Sequence, residues 1–306
     1  QPPAIQHKPA ESHNAAQPIV VDASIADDTG VTSAIIHYRR GGDAGFSPVA
    51  MTNIGGSWQG TIPGGDVTSR GIEYMLEAFD QLQVSSFSPA ASVRVSLNGE
   101  GESRGSAQIT GSDQNAYRLF SVPFQLYEPD PADVLVDDLG NYSIKKWRFF
   151  ALQADQTYAE FGATEDFAPG KAFWLIVNEP GKIVDSGAGT TNLTDRTFAI
   201  PLQPQWSFVG NPFNFVIPVT NLHLASTGEP PALRAFDGSW SDPAAVTEIR
   251  PFEGYAVFNN ATVADTLFFD PRLQVPSGST FAGKQTTALH WRVRVIATCG
   301  TATDRD

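Results

Sequence analysis

The sequence predicts an all-β protein: an immunoglobulin-like β-sandwich, then a larger duplicated sandwich-like domain with one short helix. Three observations carry this. Turn formers are abundant, with 27 Gly and 22 Pro in 306 residues, while charged residues make up only 17%. Apolar and polar residues alternate over short runs, the period of a half-buried strand. Three motifs recur in the same order along the second half of the chain. A hydrophobic content of 41% is enough to build a sizeable core, which excludes wholesale disorder.

Residues 1–97 give seven expected strands separated by turn signals. The first is Ala4–His7. In Pro18–Ile25 the apolar face is Ile19, Val21, Ala23 and Ile25, and Asp27-Asp28-Thr29-Gly30 forms the turn. Val31–Arg40 follows, with Ile36 and Tyr38 on one face and Ile35, His37 and Arg39 on the other. Phe46–Met51, Trp58–Ile62, Ile72–Asp80 and Ser92–Leu97 complete the set. Arg39-Arg40 reads as a solvated strand edge, as does the basic run Lys145–Arg148. Asp27, Asp28 and Asp80 are candidate calcium ligands, although Asp is also an ordinary first residue of a β-turn. The segments "ASIADDTGV", "IIHYRRGG", "GSWQGTIPG" and "GIEYMLEAFD" resemble immunoglobulin-like or fibronectin-III-like modules of secreted bacterial proteins. That resemblance implies a spacer or adhesive unit, with Tyr74 as an analogue of the tyrosine corner.

Residues 98–111, rich in Gly and Ser, read as a linker. The second domain spans 112–272, with halves at about 117–197 and 198–272. "SVPF" (Ser121–Phe124) returns as "GNPF" (Gly210–Phe213), 89 residues on. "WRFF" (Trp147–Phe150) returns as "LRAF" (Leu233–Phe236) after 86, and "APGKAFWLIV" (Ala168–Val177) as "RPFEGYAVFN" (Arg250–Asn259) after 82. A shift that falls in steps is what small loop deletions produce in a duplicated unit. Phe149, Phe150, Phe236, Phe268 and Phe269 are its expected core aromatics. The helix starts at Asp130 as cap and Pro131 as first residue and ends at Gly140, with Ala132, Leu135, Val136 and Leu139 as its apolar face. Asp137 and Asp138 sit at its far end, with solvent exposure as the ordinary reading and a facing cation as the alternative.

"LVDDLGNYSIKKWRFF", "FAPGKAFWLIV" and "WSFVGNPFNFVIP" resemble a β domain of large secreted proteins of Bacteroidota-type bacteria. Ser207 stands where that family carries Asn, and Ala172 where it carries Gly. The resemblance implies secretion of the type IX style and surface attachment or release, and transfers no catalytic residue.

The tail, 273–306, holds the alternating run Leu289, Trp291, Val293 and Val295, a strand with one face to bury. A removed following domain, pairing with the second domain, or strand addition to another copy would each satisfy it. Gln1 is not a translation start, so a processed form or excised piece is expected.

The net charge of −13 opposes nucleic-acid binding. No apolar run reaches the length of a membrane span. Cys299 is the only cysteine, so no internal disulfide is available. The five His do not form a metal-ligand spacing, and no nucleophile elbow or phosphate loop occurs. No cofactor or metal is expected. Trp58, Trp147, Trp206, Trp240 and Trp291 are candidates for stacking on sugar rings, with core filling as the ordinary alternative. Trp240, in "FDGSWSDP", is the most loop-like. Asn141, Asn192 and Asn260 begin N-x-S/T sequons, and Asp265-Thr266-Leu267 resembles a bacterial O-glycan acceptor. The expectation is a non-catalytic extracellular surface or matrix module in adhesion or self-assembly, forming filaments by strand addition. Its partners would be other copies of itself, cell-surface components or polysaccharide. The alternative is an accessory, carbohydrate-binding region of a secreted hydrolase.

Overall fold

The computed structural model describes residues 1–99, 101–272, 298–299 and 302–303. The chain divides into a unit of Gln1–Leu273 and one of Gln274–Asp306. In the latter, Thr298–Cys299 pairs antiparallel with Ala302–Thr303. Leu289, Trp291, Val293 and Val295, the expected strand-addition face, lie outside the described residues. The larger unit is all-β with one α-helix.

Its first part has ten strands: β1 (Ala4–Gln6), β2 (Ser12–Asn14), β3 (Ile19–Ala26), β4 (Val31–Arg40), β5 (Ser47–Ala50), β6 (Thr52–Ile54), β7 (Ser57–Ile62), β8 (Ile72–Asp80), β9 (Ser85–Phe87) and β10 (Ala91–Leu97). One sheet runs β1-β3-β7-β6 and the other β10-β8-β4-β5, with β2 and β9 added to β10 and β8. The alternation read from the sequence holds: Ile19, Val21, Ala23 and Ile25 of β3 are buried with Ile36, Tyr38, Leu76 and Val93 in one core. Three-residue strands β2, β6 and β9 are too short to show a period, and the sequence reading missed them.

The outer face of β4 departs from expectation. His37 and Arg39 are buried there, at 3% and 8% exposure. Arg39 donates through Nε and Nη2 to Glu73 Oε2 of β8, at 3.0 and 2.8 Å, and lies over the Phe46 ring. His37 Nε2 is 2.9 Å from Glu77 Oε2, beside Phe87. Arg39 is therefore no solvated edge: its charge is matched across the ladder and roofed by an aromatic ring. Tyr74 is no tyrosine corner either, because its hydroxyl meets the His7 ring; burial pushes its pKa up to about 12.

Residues 98–111 are stitched down rather than free. Glu102 and Ser186 exchange two bonds, Glu102 N–H to Ser186 Oγ at 3.1 Å and Ser186 N–H to Glu102 O at 2.8 Å. Gln108 N–H donates to Lys182 O at 2.7 Å. Gly101 sits at φ +75°, and a Cβ there would fall 2.0 Å from Gly187 O. Only glycine allows that approach.

The second part comprises β11 (Arg118–Ser121), β12 (Gln125–Leu126), α1 (Pro131–Leu139), β13 (Trp147–Leu152), β14 (Tyr158–Glu160), β15 (Ala172–Val177), β16 (Gly189–Thr190), β17 (Phe198–Leu202), β18 (Gln205–Gly210), β19 (Ile217–Pro218), β20 (Leu222–Leu224), β21 (Leu233–Arg234), β22 (Glu248–Ile249), β23 (Gly254–Asn259) and β24 (Asp265–Phe269). Helix α1 begins and ends as expected: Asp130 accepts from Ala132 N–H at 2.8 Å, and Gly140 closes it at φ +75°. Its buried side is Pro131, Val134, Leu135 and Leu139, so the face is rotated and Ala132 is exposed. Asp138 is not idle; its Oδ2 accepts from Asp185 N–H at 2.8 Å. Of the expected core aromatics, Phe149 and Phe269 are fully buried, while Phe150, Phe236 and Phe268 are only partly so.

The duplication appears in the sheets. The order β11-β15-β13 of the first half is matched by β18-β23-β21 of the second. Ser121 faces Ala172, and its counterpart Gly210 faces Gly254; Arg118 faces Leu175, and Ser207 faces Val257. The middle motif is corrected by two residues. Leu233 opposes Val257 as Phe149 opposes Leu175, so Leu233 corresponds to Phe149, not Trp147. A slip of two keeps every side chain on its face, which hides it from pattern matching.

The halves meet reciprocally. Ser121 N–H donates to Phe252 O at 3.4 Å, and Gly210 N–H to Gly170 O at 2.9 Å. Phe120 bridges Glu253, and Val209 bridges Lys171. Each contact is the image of the other, the signature of an approximate two-fold axis. Asn192 lies where that axis passes: its Nδ2 donates to Pro123 O at 3.2 Å and Pro212 O at 2.6 Å, the two equivalent prolines.

Candidate binding groove

A groove of about 600 Å³ opens where the two halves meet. The first half contributes Leu152, Gln156 and Tyr158 from the β13–β14 hairpin. The second contributes Gln205, Trp206 and Phe208 of β18, Arg234 of β21, and Trp240 from the following loop. This volume lies within the range of small-ligand sites.

Each wall is held in place. Gln156, at φ +67°, uses its side-chain amide as a substitute strand: Oε1 accepts from Trp206 N–H at 3.2 Å, and Nε2 donates to Trp206 O at 3.1 Å. The Trp240 loop is closed by Ser241 N–H to Ala235 O at 2.9 Å and by Ala235 N–H to Ser241 Oγ at 3.0 Å. Arg118 Nη2 donates to Asp237 O at 3.1 Å and ties the loop to β11. Gly238, at φ +113°, supplies the tight bend over Asn115.

The groove surface is aromatic. Trp206 and Trp240 are 39% and 44% exposed, with indole planes 17° apart and centroids separated by 6.5 Å. Beneath Trp240 lie Trp174 and Phe236, edge-on at 5.6 and 5.1 Å. Phe258 leans on Trp206 at 4.9 Å, and Tyr158 stacks on Phe208. Such a platform is rigid, because each exposed ring rests on another ring.

No family model matches the chain, and no curated protein matches it. Among solved structures it is similar to a cycloalternan-degrading enzyme from Trueperella pyogenes, at 13% identity and a TM-score of 0.26, covering 87% of this chain and 34% of the enzyme. The chain thus spans about a third of that enzyme's length. The same enzyme in complex with isomaltose aligns at 12% identity and a TM-score of 0.25, covering 87% and 34%. The titin domains z1z2 in complex with telethonin align at 17% identity and a TM-score of 0.23, covering 62% of this chain and 93% of that one.

The structure separates the candidate tryptophans. Trp58 and Trp147 fill the core, at 7% and 2% exposure; Trp206 and Trp240 line the groove; Trp291 lies outside the described residues. Tyr158 and Arg234 come to the groove from separate segments, and no local sequence pattern marks them.

The sequon at Asn192 is closed, since both amide hydrogens are used within the fold; Asn141 and Asn260 are exposed. Two of the acids considered for calcium serve turns, while Asp28 Oδ1 lies 3.5 Å from the Gln1 amino group. Asp27 accepts from Thr29 N–H at 2.8 Å and Thr29 Oγ1 at 2.6 Å, bonds that hold its pKa below the usual value. Asp80 Oδ1 accepts from Leu82 and Val84 N–H, both at 2.8 Å. Among the described residues no cluster of three His, Cys, Asp or Glu is placed to hold a metal ion.

Proposed function

We propose that the chain is a non-catalytic recognition part of a secreted or surface-exposed protein, which adheres to saccharide through the Trp206–Trp240 groove. One observation carries the reading: two nearly parallel, exposed indoles line a preformed groove. Sugar rings present flat C–H faces that stack on indoles, while their hydroxyls require a few fixed polar groups. Gln156, Gln205 and Arg234 stand at the wall to supply these. The lining residues include no carboxylate, His, Ser or Cys, which favours binding over hydrolysis. Adhesion through a glycan unites the surface-module reading with the carbohydrate-binding one. The self-assembly reading of the tail is carried by Leu289–Val295, outside the described residues, and so stands behind the groove.

A glycan array with the 306-residue chain tests the proposal. Trp240→Ala and Trp206→Ala should each weaken any positive signal by at least about tenfold, since one lost aromatic contact is worth about 1 kcal/mol or more. Silence across the array, or signals indifferent to both substitutions, would overturn it.

A further inference from the structure

Arg234 gives the groove a chemical bias. It lies on β21 at the wall, within reach of the Trp240 loop, and its one side-chain hydrogen bond among the described residues is from Nη1 to Ser241 O at 2.9 Å. Among the described residues no carboxylate pairs with it. Most other arginines are matched, such as Arg39 by Glu73, Arg148 by Glu160, Arg196 by Asp195 and Arg250 by Glu248. Arg94 and Arg118, also without a carboxylate partner among the described residues, donate to carbonyls: Arg94 to Thr191 O, and Arg118 to Asn115, Tyr117 and Asp237 O. Among the described residues, four of the five N–H donors of Arg234 meet no acceptor.

Most guanidiniums of the described residues are compensated on this chain of net charge −13, and Arg234 is uncompensated while lining the groove. Two acids of the adjoining segments turn elsewhere. Asp155 accepts from the backbone and hydroxyl of Thr157, and Asp242 caps the short 3-10 turn through Ala244 N–H. A neutral sugar makes no demand for a cation, whereas a carboxylate does. Guanidinium binds carboxylate through paired, charge-assisted hydrogen bonds, and flanking apolar rings strengthen them by displacing water.

Resting on the saccharide reading above, we propose that the groove selects an acidic polysaccharide, with a uronate carboxylate on Arg234 and the ring faces on Trp240 and Trp206. The charge complementarity is local. The acidic remainder of the surface repels polyanions that do not reach Arg234, which sharpens selection.

The experiment is calorimetric titration of the full chain with oligogalacturonate, oligoguluronate and a neutral β-glucan oligosaccharide of equal length. The parent should bind one of the uronates at least about tenfold more tightly than the neutral oligomer, and more weakly as salt rises. Arg234→Gln should remove that preference, lowering uronate affinity to that of the neutral oligomer. Arg234→Lys, which keeps the charge but not the fork, should restore only part of it. Trp240→Ala should weaken every saccharide, and thermal unfolding of each variant verifies its fold. Equal affinity for uronate and neutral oligomers, with Arg234→Gln silent, would overturn the acidic selectivity and leave the saccharide groove standing. Uronate binding indifferent to both Trp240→Ala and Arg234→Gln, or no binding of any oligomer, would overturn both.

Discussion

Asn192 shows how far a single side chain can be misread from its neighbours in sequence. As Asn-Leu-Thr it looks like a glycan acceptor, yet it is 7% exposed and its amide joins Pro123 O to Pro212 O. Replacing it with Ala leaves two buried carbonyls without partners, at about 1–3 kcal/mol each. Asn192→Ala should therefore lower stability by several kcal/mol in urea unfolding, against well under 1 kcal/mol for exposed Asn141→Ala; equal values would refute the axial role. Glu73 is the second residue whose environment was invisible. Charges in a strand read as a solvent face, and only the fold reveals Arg39 opposite. Burial raises the Glu73 pKa above its ordinary 4.5, with Arg39 pulling the other way. The folded state then holds a proton that the unfolded chain has already released, so this group's contribution to stability falls as pH rises just above 4.5. Glu73→Gln should remove that component, making the stability profile rise more, or fall less, than the parent's from about pH 4.5 to 7. Urea unfolding at stepped pH measures it, and parallel profiles would contradict the assignment.

At the scale of elements, legibility followed periodicity. Strand β3 and helix α1 were readable because Ile19, Val21, Ala23 and Ile25 repeat every second residue and because Asp130, Pro131 and Gly140 punctuate the helix. The duplication was readable from its Pro and aromatic motifs. Its middle register was not, because Trp147 and Phe149 are both buried aromatics two residues apart on one face. The seam between halves was also illegible, since it depends on what is missing. Gly210 and Gly254 lie where a Cβ would come within 2.3 Å of Ser121 Cβ and 2.5 Å of Ala172 Cβ. These four positions are two equivalent pairs, so the axis is kept closed by small residues on both sides. Gly210→Ala should force β18 away from β11 and cost about 1–3 kcal/mol through overpacking. It should also disturb the groove, because Trp206 is on the same strand. Near-ultraviolet circular dichroism alongside thermal unfolding checks both, and a stable variant with an unchanged aromatic spectrum would show that the seam is looser than its geometry. The groove itself was half legible: Trp240 stood out in a polar loop, whereas Tyr158 and Arg234 acquire meaning only when two halves fold together.

For the molecule as a whole, the expected picture was two sandwiches on a flexible tether. The Gly and Ser of residues 98–111 encouraged it, because backbone contacts made by small residues leave no apolar pattern. The contacts found are of another kind. Strand β10 pairs with β16, Ser96 opposite Thr190 and Leu97 opposite Gly189, which extends the first module's sheet into the second part as far as β12. Thr191 Oγ1 accepts from Val95 N–H at 2.9 Å, and Thr194 N–H donates to Ser92 Oγ at 2.9 Å. One core cluster runs from Ile19 through Val95 to Phe124, Phe149 and Phe252. Opening either part alone would break this ladder and expose apolar surface at roughly 25 cal/mol per Å². The two parts should therefore unfold as one cooperative block, unlike modules on a free linker. Native-state hydrogen exchange in rising denaturant tests this at strand resolution. Amides of β3 and β8 should lose protection at the same denaturant concentration as those of β13 and β15, and substitution of Thr191 by Val should bring the two transitions apart by removing the hydroxyl that accepts from Val95. Well-separated transitions in the parent chain would restore the tethered picture, and the groove would then belong to a domain that folds without the first module.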